Sequence, residues 1–333
     1  MPDLKFIKCE NPKSEIKHGE FTDHMFRMYR KEYGGWYKNV IIPVDSHNYF
    51  CQTNGKAVGL TVTEAVRITL DKDGKAVIFR AKEYIERLNR NAKSVGIPEA
   101  DAAMALYSLT ELVKIERRFL TGNNVLLARM MLTADDNTFA ADEVKNAEFT
   151  IVLESRDKSC FDGIRVCTSD NCILSSLVCG TAAYNLATHM GVIEAHKKNY
   201  HSVLWLDNVY KKYITRLSGS SLFVRMGDEV ITPDNKDLGI MQDSVIKLMD
   251  EWGIKVVERK LSTDELVKKY REGVVTEAFC ADTMGVVTPI DLIDHNGMLL
   301  EFEHGKLTRK LHDSILSIEQ GFLPSATDWV TRV

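Results

Sequence analysis

Several side chains in this 333-residue chain could do chemistry, and their neighbours make them conspicuous. Arg129 closes the apolar run Val125-Leu-Leu-Ala-Arg129, and a guanidinium in an apolar strand needs an anionic partner. That partner is a bound carboxylate or an internal Asp or Glu. Arg87 lies within Tyr84-Ile-Glu-Arg-Leu-Asn-Arg-Asn-Ala92, whose spacing predicts an amphipathic helix. Its fork of donors suits phosphate oxygens, and the plainer reading is a solvated helix arginine. The adjacent Asp23 and His24 suggest acid–base chemistry or a structural pair. His18, His24, Cys51, Lys56, Cys179 and Tyr184 are further titratable or nucleophilic groups, and nothing in the sequence ranks them.

The elements that position such groups need sizeable cores. The chain is 44% hydrophobic and 27% charged, and its length suggests two domains. Net charge is −4, with both signs mixed and no basic stripe, so nucleic acid is not an expected partner. The opening Met-Pro-Asp-Leu-Lys lacks the layout of a secretory signal, and no apolar run reaches the roughly 20 residues that span a bilayer. The expectation is a cytoplasmic protein with no membrane partner. Seven cysteines at irregular spacing without C-x-x-C argue against a disulfide framework or a zinc site, so no metal is expected. Buried free thiols are the plain reading, and a redox cluster between Cys160 and Cys179 is the alternative.

Along the chain, Phe21–Met28 reads as a strand, followed by the turn Gly34-Gly-Trp36 and the extended Ile41-Ile-Pro43. Asp73-Gly74 predicts a hairpin turn. A long helix is predicted over Glu99–Glu116 and a strand over Phe149–Glu154. The polar residues 155–163 read as a linker between an N-terminal α/β domain, 1–154, and a C-terminal domain, 164–333.

Short motifs in order carry a resemblance. They are Phe21-Thr-Asp-His-Met25, Ala65 and Arg67, Ile78-Phe-Arg80 with its following helix, Val203-Leu-Trp-Leu-Asp207, Thr232-Pro233, Glu251–Arg259, Glu277-Ala-Phe279 and Ile318–Trp329. Together they resemble the branched-chain amino acid aminotransferases, class IV enzymes of PLP fold type IV. The resemblance implies an α/β (α+β) fold, with a smaller α/β N-terminal domain and a larger pseudo-barrel C-terminal domain. It also implies a homodimer and pyridoxal 5′-phosphate (PLP) as cofactor. Asp23 and His24 are structural by the same resemblance.

The resemblance also assigns roles. Arg87 matches the arginine that binds the cofactor phosphate. Gly239, Ile240, Met241 and Thr283 match a phosphate cup, Tyr184 falls in the cofactor segment, and Arg129 matches an arginine of the substrate side. Backbone donors at a helix start are largely indifferent to side chain, so Gly239, Ile240 and Met241 retain that capacity. Other matches depart from the pattern. Counting back from Val203 without a gap, the Schiff-base lysine position falls on Gly180. The glutamate that partners the pyridine nitrogen falls on Arg216, a cation that disfavours pyridinium. The phosphate motif Gly-Thr-Ala becomes Asp282-Thr283-Met284, which brings a carboxylate to the phosphate position. The substrate-side phenylalanine position holds Lys17.

Three functions compete. The first is an aminotransferase-like pseudoenzyme that is a regulatory or assembly partner of an active aminotransferase paralogue, with PLP not covalently bound or absent. The second is a PLP-independent enzyme in the same cleft. The third is an active branched-chain transaminase with a displaced lysine, Lys56, Lys197 or Lys198, although the last two end a helix that carries them away from Gly180.

Overall fold

The computed structural model describes residues 4–32, 34–46, 59–136, 144–158, 161–169, 179–234, 239–324 and 329–333. The chain forms two compact units. The first comprises Met1–Lys158, Gly180–Ala182 and Ser317–Val333, and the second Ser159–Cys179 and Ala183–Leu316.

Among its described residues the first unit holds one sheet with two α-helices of its own. Its strands are β1 (Lys5–Phe6), β2 (Phe21–Lys31), β3 (Gly35–Pro43), β4 (Thr61–Leu70), β5 (Ala76–Phe79), β6 (Asn124–Ala134) and β7 (Ala147–Asp157). They run β1-β3-β2-β7-β6-β4-β5, antiparallel except for β1 against β3. The hairpin expected at Asp73-Gly74 joins β4 to β5. Gly74 sits at φ 73°, and Asp71 accepts the N–H groups of Asp73 and Lys75.

Helix α1 (Ala81–Ser94) buries Tyr84, Ile85, Leu88 and Ala92, one face at helical spacing, against β4. Arg87 and Asn91 lie on the same side, so the helix phase buries two polar side chains along with the apolar ones. Helix α2 (Ala102–Glu116) starts three residues later than the sequence suggests. Asp101 caps it by accepting the Met104 N–H at 2.9 Å, which leaves Glu99 outside.

The second unit is a strongly curled sheet. It contains β8 (Ile164–Ser169), α3 (Ala182–Lys197), β9 (Ser202–Leu206), β10 (Tyr213–Leu217), β11 (Ser221–Met226), β12 (Glu229–Pro233), α4 (Ile240–Glu251), β13 (Lys255–Arg259) and β14 (Leu261–Ser262). There follow α5 (Thr263–Arg271), β15 (Val275–Asp282), β16 (Val286–His295), β17 (Met298–Glu301) and α6 (Lys306–Glu319). The order is β13-β12-β11-β15-β16-β8-β9-β10-β14, with β17 on β16. Leu204, Ile214, Leu222, Ile231, Leu261 and Ile293, from distant positions in that order, share one apolar interior. Only a sheet rolled toward closure brings them together, which gives the pseudo-barrel. Behind β9, Gly191 of α3 lies so close to the Trp205 indole that a Cβ there would overlap it.

A single cut at 155–163 would assign the C-terminal tail to the second unit. Instead the last strand, β18 (Val330–Arg332), pairs antiparallel with β5, and the Arg80 N–H donates to the Trp329 carbonyl at 2.6 Å. The Trp329 ring packs edge-on against Phe79, and Arg67 and Glu319, both buried, form an ion pair at 3.0 Å. These contacts hold 317–333 on the first sheet. Residues 155–157, expected as linker, continue β7.

Candidate functional site

In the first unit, Gly180 runs against β4. Its carbonyl accepts the Thr63 N–H at 2.7 Å and the Thr63 hydroxyl at 3.2 Å, and the next residue, Thr181, bridges Val62. Gly180 has φ 82°, the left-handed region that favours glycine. A Cβ built on it would lie 2.5 Å from the Thr63 carbonyl oxygen and 3.5 Å from the Asn91 amide nitrogen. The position matched to a lysine is therefore one where backbone meets backbone. A side chain there would have to displace a strand.

Arg87 is buried on α1 and pairs with Glu64 of β4 at 2.9 Å, both side chains about a tenth exposed or less. Asn91, one turn on, donates to the same Glu64 oxygen at 3.5 Å. Glu64 directly precedes the matched Ala65 and was not singled out from the sequence. Arg129 faces an internal carboxylate. It pairs with Glu154, which also pairs with Arg156. The sheet explains the contact: Leu127 faces Glu154 and Arg129 faces Val152, so Arg129 and Glu154 are diagonal neighbours on one face.

In the second unit, Arg216 stands opposite Trp205 in the β9–β10 ladder, with its guanidinium 5.4 Å from the centre of the Tyr184 ring. Tyr184 is not presented to a ligand. It is 3% exposed and packs with Ala195, Val203 and Trp205, with Cys179 at its edge. Burial pushes its hydroxyl pKa up, and the Cys179 thiol adds to this. Donors from Arg216 and the Gly219 N–H oppose it. A cation, a phenol and an indole thus form a packed polar cluster inside the wall of the unit.

The cup residues also lie in the second unit. Gly239 caps α4 without a side-chain bond, and its Cα approaches the Ser221 hydroxyl closely enough that a Cβ would be 3.6 Å away. Ile240 and Met241 turn their side chains into the core, which leaves only their backbone toward that end of the helix. Beside them the turn after β15 is closed by Asp282. Its Oδ1 accepts the N–H groups of Met284 and Gly285, both at 2.7 Å, and its Oδ2 accepts the Ser220 hydroxyl at 2.8 Å. Thr283 lies inside this loop. Val286, which follows, is fully buried at φ 63°. For a β-branched residue that conformation costs on the order of 1–3 kcal/mol, and the Asp282 bonds help hold it.

The remaining candidates are placed as follows. His24 is buried and pairs with Glu116, and its Nε2 accepts the Cys9 N–H at 3.1 Å, so Nδ1 carries the proton toward Glu116. Burial pushes the Glu116 carboxyl up, opposed by the His24 hydrogen bond. Asp23 accepts the Lys13 N–H and pairs with Arg118. Both side chains hold the N-terminal segment to β2. His18 lies on the surface between Asp157 and Arg156. Lys197 pairs with Glu194, and Lys198 lines a cavity of about 390 Å³ with Cys167, Met190 and Trp205. Cys51, Lys56, Cys160 and Cys172 lie outside the described residues. Among the described residues, no group of His, Cys, Asp and Glu could hold a metal ion, and no helix is long and apolar enough to cross a membrane.

Comparison with known proteins shows the family and the fold. The pattern "Amino-transferase class IV" matches residues 61–293. The chain is 29% identical to branched-chain-amino-acid aminotransferase 2 of Bacillus subtilis (strain 168), covering 94% of this chain and 90% of that one. Its fold is similar to that of the branched-chain amino acid aminotransferase from Thermobaculum terrenum in its PLP form. That TM-score is 0.75 at 20% identity, over 93% of this chain and 98% of that one. It is also similar to the branched-chain aminotransferase of the archaeon Thermoproteus uzoniensis with norvaline, at TM-score 0.75 and 20% identity, over 93% and 99% of the two chains.

Proposed function

The chain belongs to the class IV amino-transferase family, with the fold of type IV PLP aminotransferases, and from that membership we propose a branched-chain-aminotransferase-like protein that has lost lysine-dependent transamination. The observation that carries this reading is the backbone contact at Gly180, whose missing Cβ would lie 2.5 Å from the Thr63 carbonyl oxygen. Transamination uses the lysine twice, as covalent carrier and as proton-transferring base. Removing it from such a site costs many orders of magnitude in rate.

The cofactor that the family implies does not fit these residues in its usual bonded form. The lysine position has no room for a side chain, Arg87 is engaged by Glu64, and the loop that holds Thr283 carries the Asp282 carboxylate on its Met284 and Gly285 N–H groups. Arg216, where a carboxylate would support a protonated ring nitrogen, sits over Tyr184 instead. Fold and chemistry are separable properties, and here the first is kept while the second is replaced. On this reading the role is regulation or assembly of an active aminotransferase paralogue, by a homodimeric cytoplasmic protein.

The direct test is a turnover assay with leucine, isoleucine or valine and 2-oxoglutarate in excess PLP. The proposal expects no glutamate formation above the PLP-only background. Turnover that borohydride treatment abolishes would overturn it and revive the displaced-lysine reading. If there is no turnover, mixing with an active paralogue is expected to shift that enzyme's rate or melting temperature.

A further inference from the structure

The second unit holds a cavity of about 390 Å³ between α3 and the strands β8 and β9. Among the described residues that line it, none is matched to the cofactor. We infer that this cavity is a binding site for a small apolar monocarboxylate, and that the Lys198 ammonium is the group that holds the carboxylate. The inference goes beyond the proposed function and is independent of it, because it uses neither Gly180 nor PLP.

Helix α3 lines the cavity with Ala187, Met190, Gly191, Glu194, Ala195 and Lys198, one stripe at helical spacing. On β8, Val166 joins the apolar interior of the unit, so Cys167 points the other way, toward α3. Trp205 of β9 supplies the deepest wall. Its Nε1–H donates to the Ser218 hydroxyl at 2.9 Å, and Gly191 lets the helix backbone come against its six-membered ring, so the indole offers the cavity only carbon. Met190 and Val203 add to this apolar lining, which suits a hydrocarbon or aromatic body. The volume lies in the range of small-molecule sites, about 300–1,000 Å³.

The charges at the mouth choose the other end of the ligand. Glu194 and Lys198 are the exposed ionisable groups among the described lining residues. Glu194 pairs with Lys197 at 2.5 Å, so its charge is already answered. Lys198 makes no ion pair among the described residues. Burial pushes the Cys167 thiol up, the Lys198 ammonium opposes this, and the Asp294 carboxylate adds to it. Asp294 is itself engaged, by the Tyr200 hydroxyl and the Gly297 N–H. The charge left over is therefore positive. A carboxylate complements it, a neutral ligand leaves it unused, and a cation is repelled.

The test reads protection of Cys167, half-buried at the cavity, against Cys9 of the first unit in the same sample. The full chain is alkylated with iodoacetamide, with and without millimolar 4-phenylbutyrate, and peptide mass mapping gives the rate at each cysteine. The carboxylate is expected to slow Cys167 by about fivefold or more and to leave Cys9 unchanged. The matching amide, 4-phenylbutyramide, is expected to protect by less than about twofold. In Lys198→Met, protection by the carboxylate is expected to fall to the level of the amide. Protection is a ratio of rates within one protein, so a change in the variant's own thiol reactivity cancels. No protection at tens of millimolar, equal protection by the amide, or protection that survives Lys198→Met overturns the inference. If Cys167 does not react in the free protein, saturation-transfer NMR of 4-phenylbutyrate decides. Transfer that Lys198→Met abolishes upholds the inference, and transfer that is absent or unchanged in the variant overturns it. A borohydride-reducible PLP adduct would overturn the proposed function and leave this result standing.

Discussion

The Gly180 carbonyl accepts both the N–H and the hydroxyl of Thr63, while the Thr63 carbonyl occupies the space that a Gly180 Cβ would need. One residue is therefore pinned to a strand at the point where the family pattern carries its reactive amine. Gly180→Ala and Gly180→Lys should both destabilise by about 2–4 kcal/mol, from the positive φ and the overlap together. Urea denaturation followed by circular dichroism measures this. A Gly180→Lys variant as stable as wild type would show that the strand yields.

The buried Arg87–Glu64 pair makes a second prediction. Truncating one partner leaves a buried charge uncompensated, so Glu64→Ala should cost about 3–5 kcal/mol. Replacing both with methionine should cost clearly less. A double-mutant cycle gives the coupling, and additive effects would contradict the pairing.

Asp207 makes a prediction about pH. It ends Val203–Asp207 and accepts four backbone N–H groups in the β9–β10 turn. Burial would raise its pKa, but the N–H groups of Tyr213, Tyr210, Lys212 and Val209 outweigh it and hold the pKa down to about 2. The folded pKa lies below the ordinary 3.8, so the stabilisation is complete above that value and lost as pH falls from about 4 toward 2. The side chain is half-buried, and screening from its solvent side limits the effect to about 1 kcal/mol. Asp207→Asn should unfold more easily than wild type at pH 6, and the difference should narrow at pH 2–3. A constant difference would contradict the assignment.

Cys280 is 1% exposed in β15, and burial pushes its thiol far up, with Asp282 adding to this. Iodoacetamide at pH 8 should leave it unmodified until the protein unfolds, while the partly exposed Cys9 and Cys179 react. Mass mapping of native and denatured samples decides this.

The parts of the fold legible in the sequence were those whose signals are local. Asp73-Gly74 marks its hairpin, the 3.6-residue spacing marks α1, and Val203–Leu206 marks a buried strand. The start of α2 was misplaced because Asp101, three residues into the polar stretch, is the residue that caps it. The tail strand on β5 and the Arg67–Glu319 pair join residues some 250 positions apart, and no local pattern encodes that. At the site, the need of Arg129 for a carboxylate was readable, but the choice of Glu154 depends on strand register. Glu64 alternates along an ordinary strand pattern and becomes meaningful only beside Arg87. Asp282 was readable as a charge near a phosphate position. That it turns back onto its own loop was not.

The most direct measurement is PLP titration of the purified protein, followed by absorbance, borohydride reduction and peptide mass mapping. The account predicts no reducible band and no phosphopyridoxyl-lysine peptide. A stoichiometric adduct on a single lysine would contradict it and identify the residue that had taken over from the position now held by Gly180.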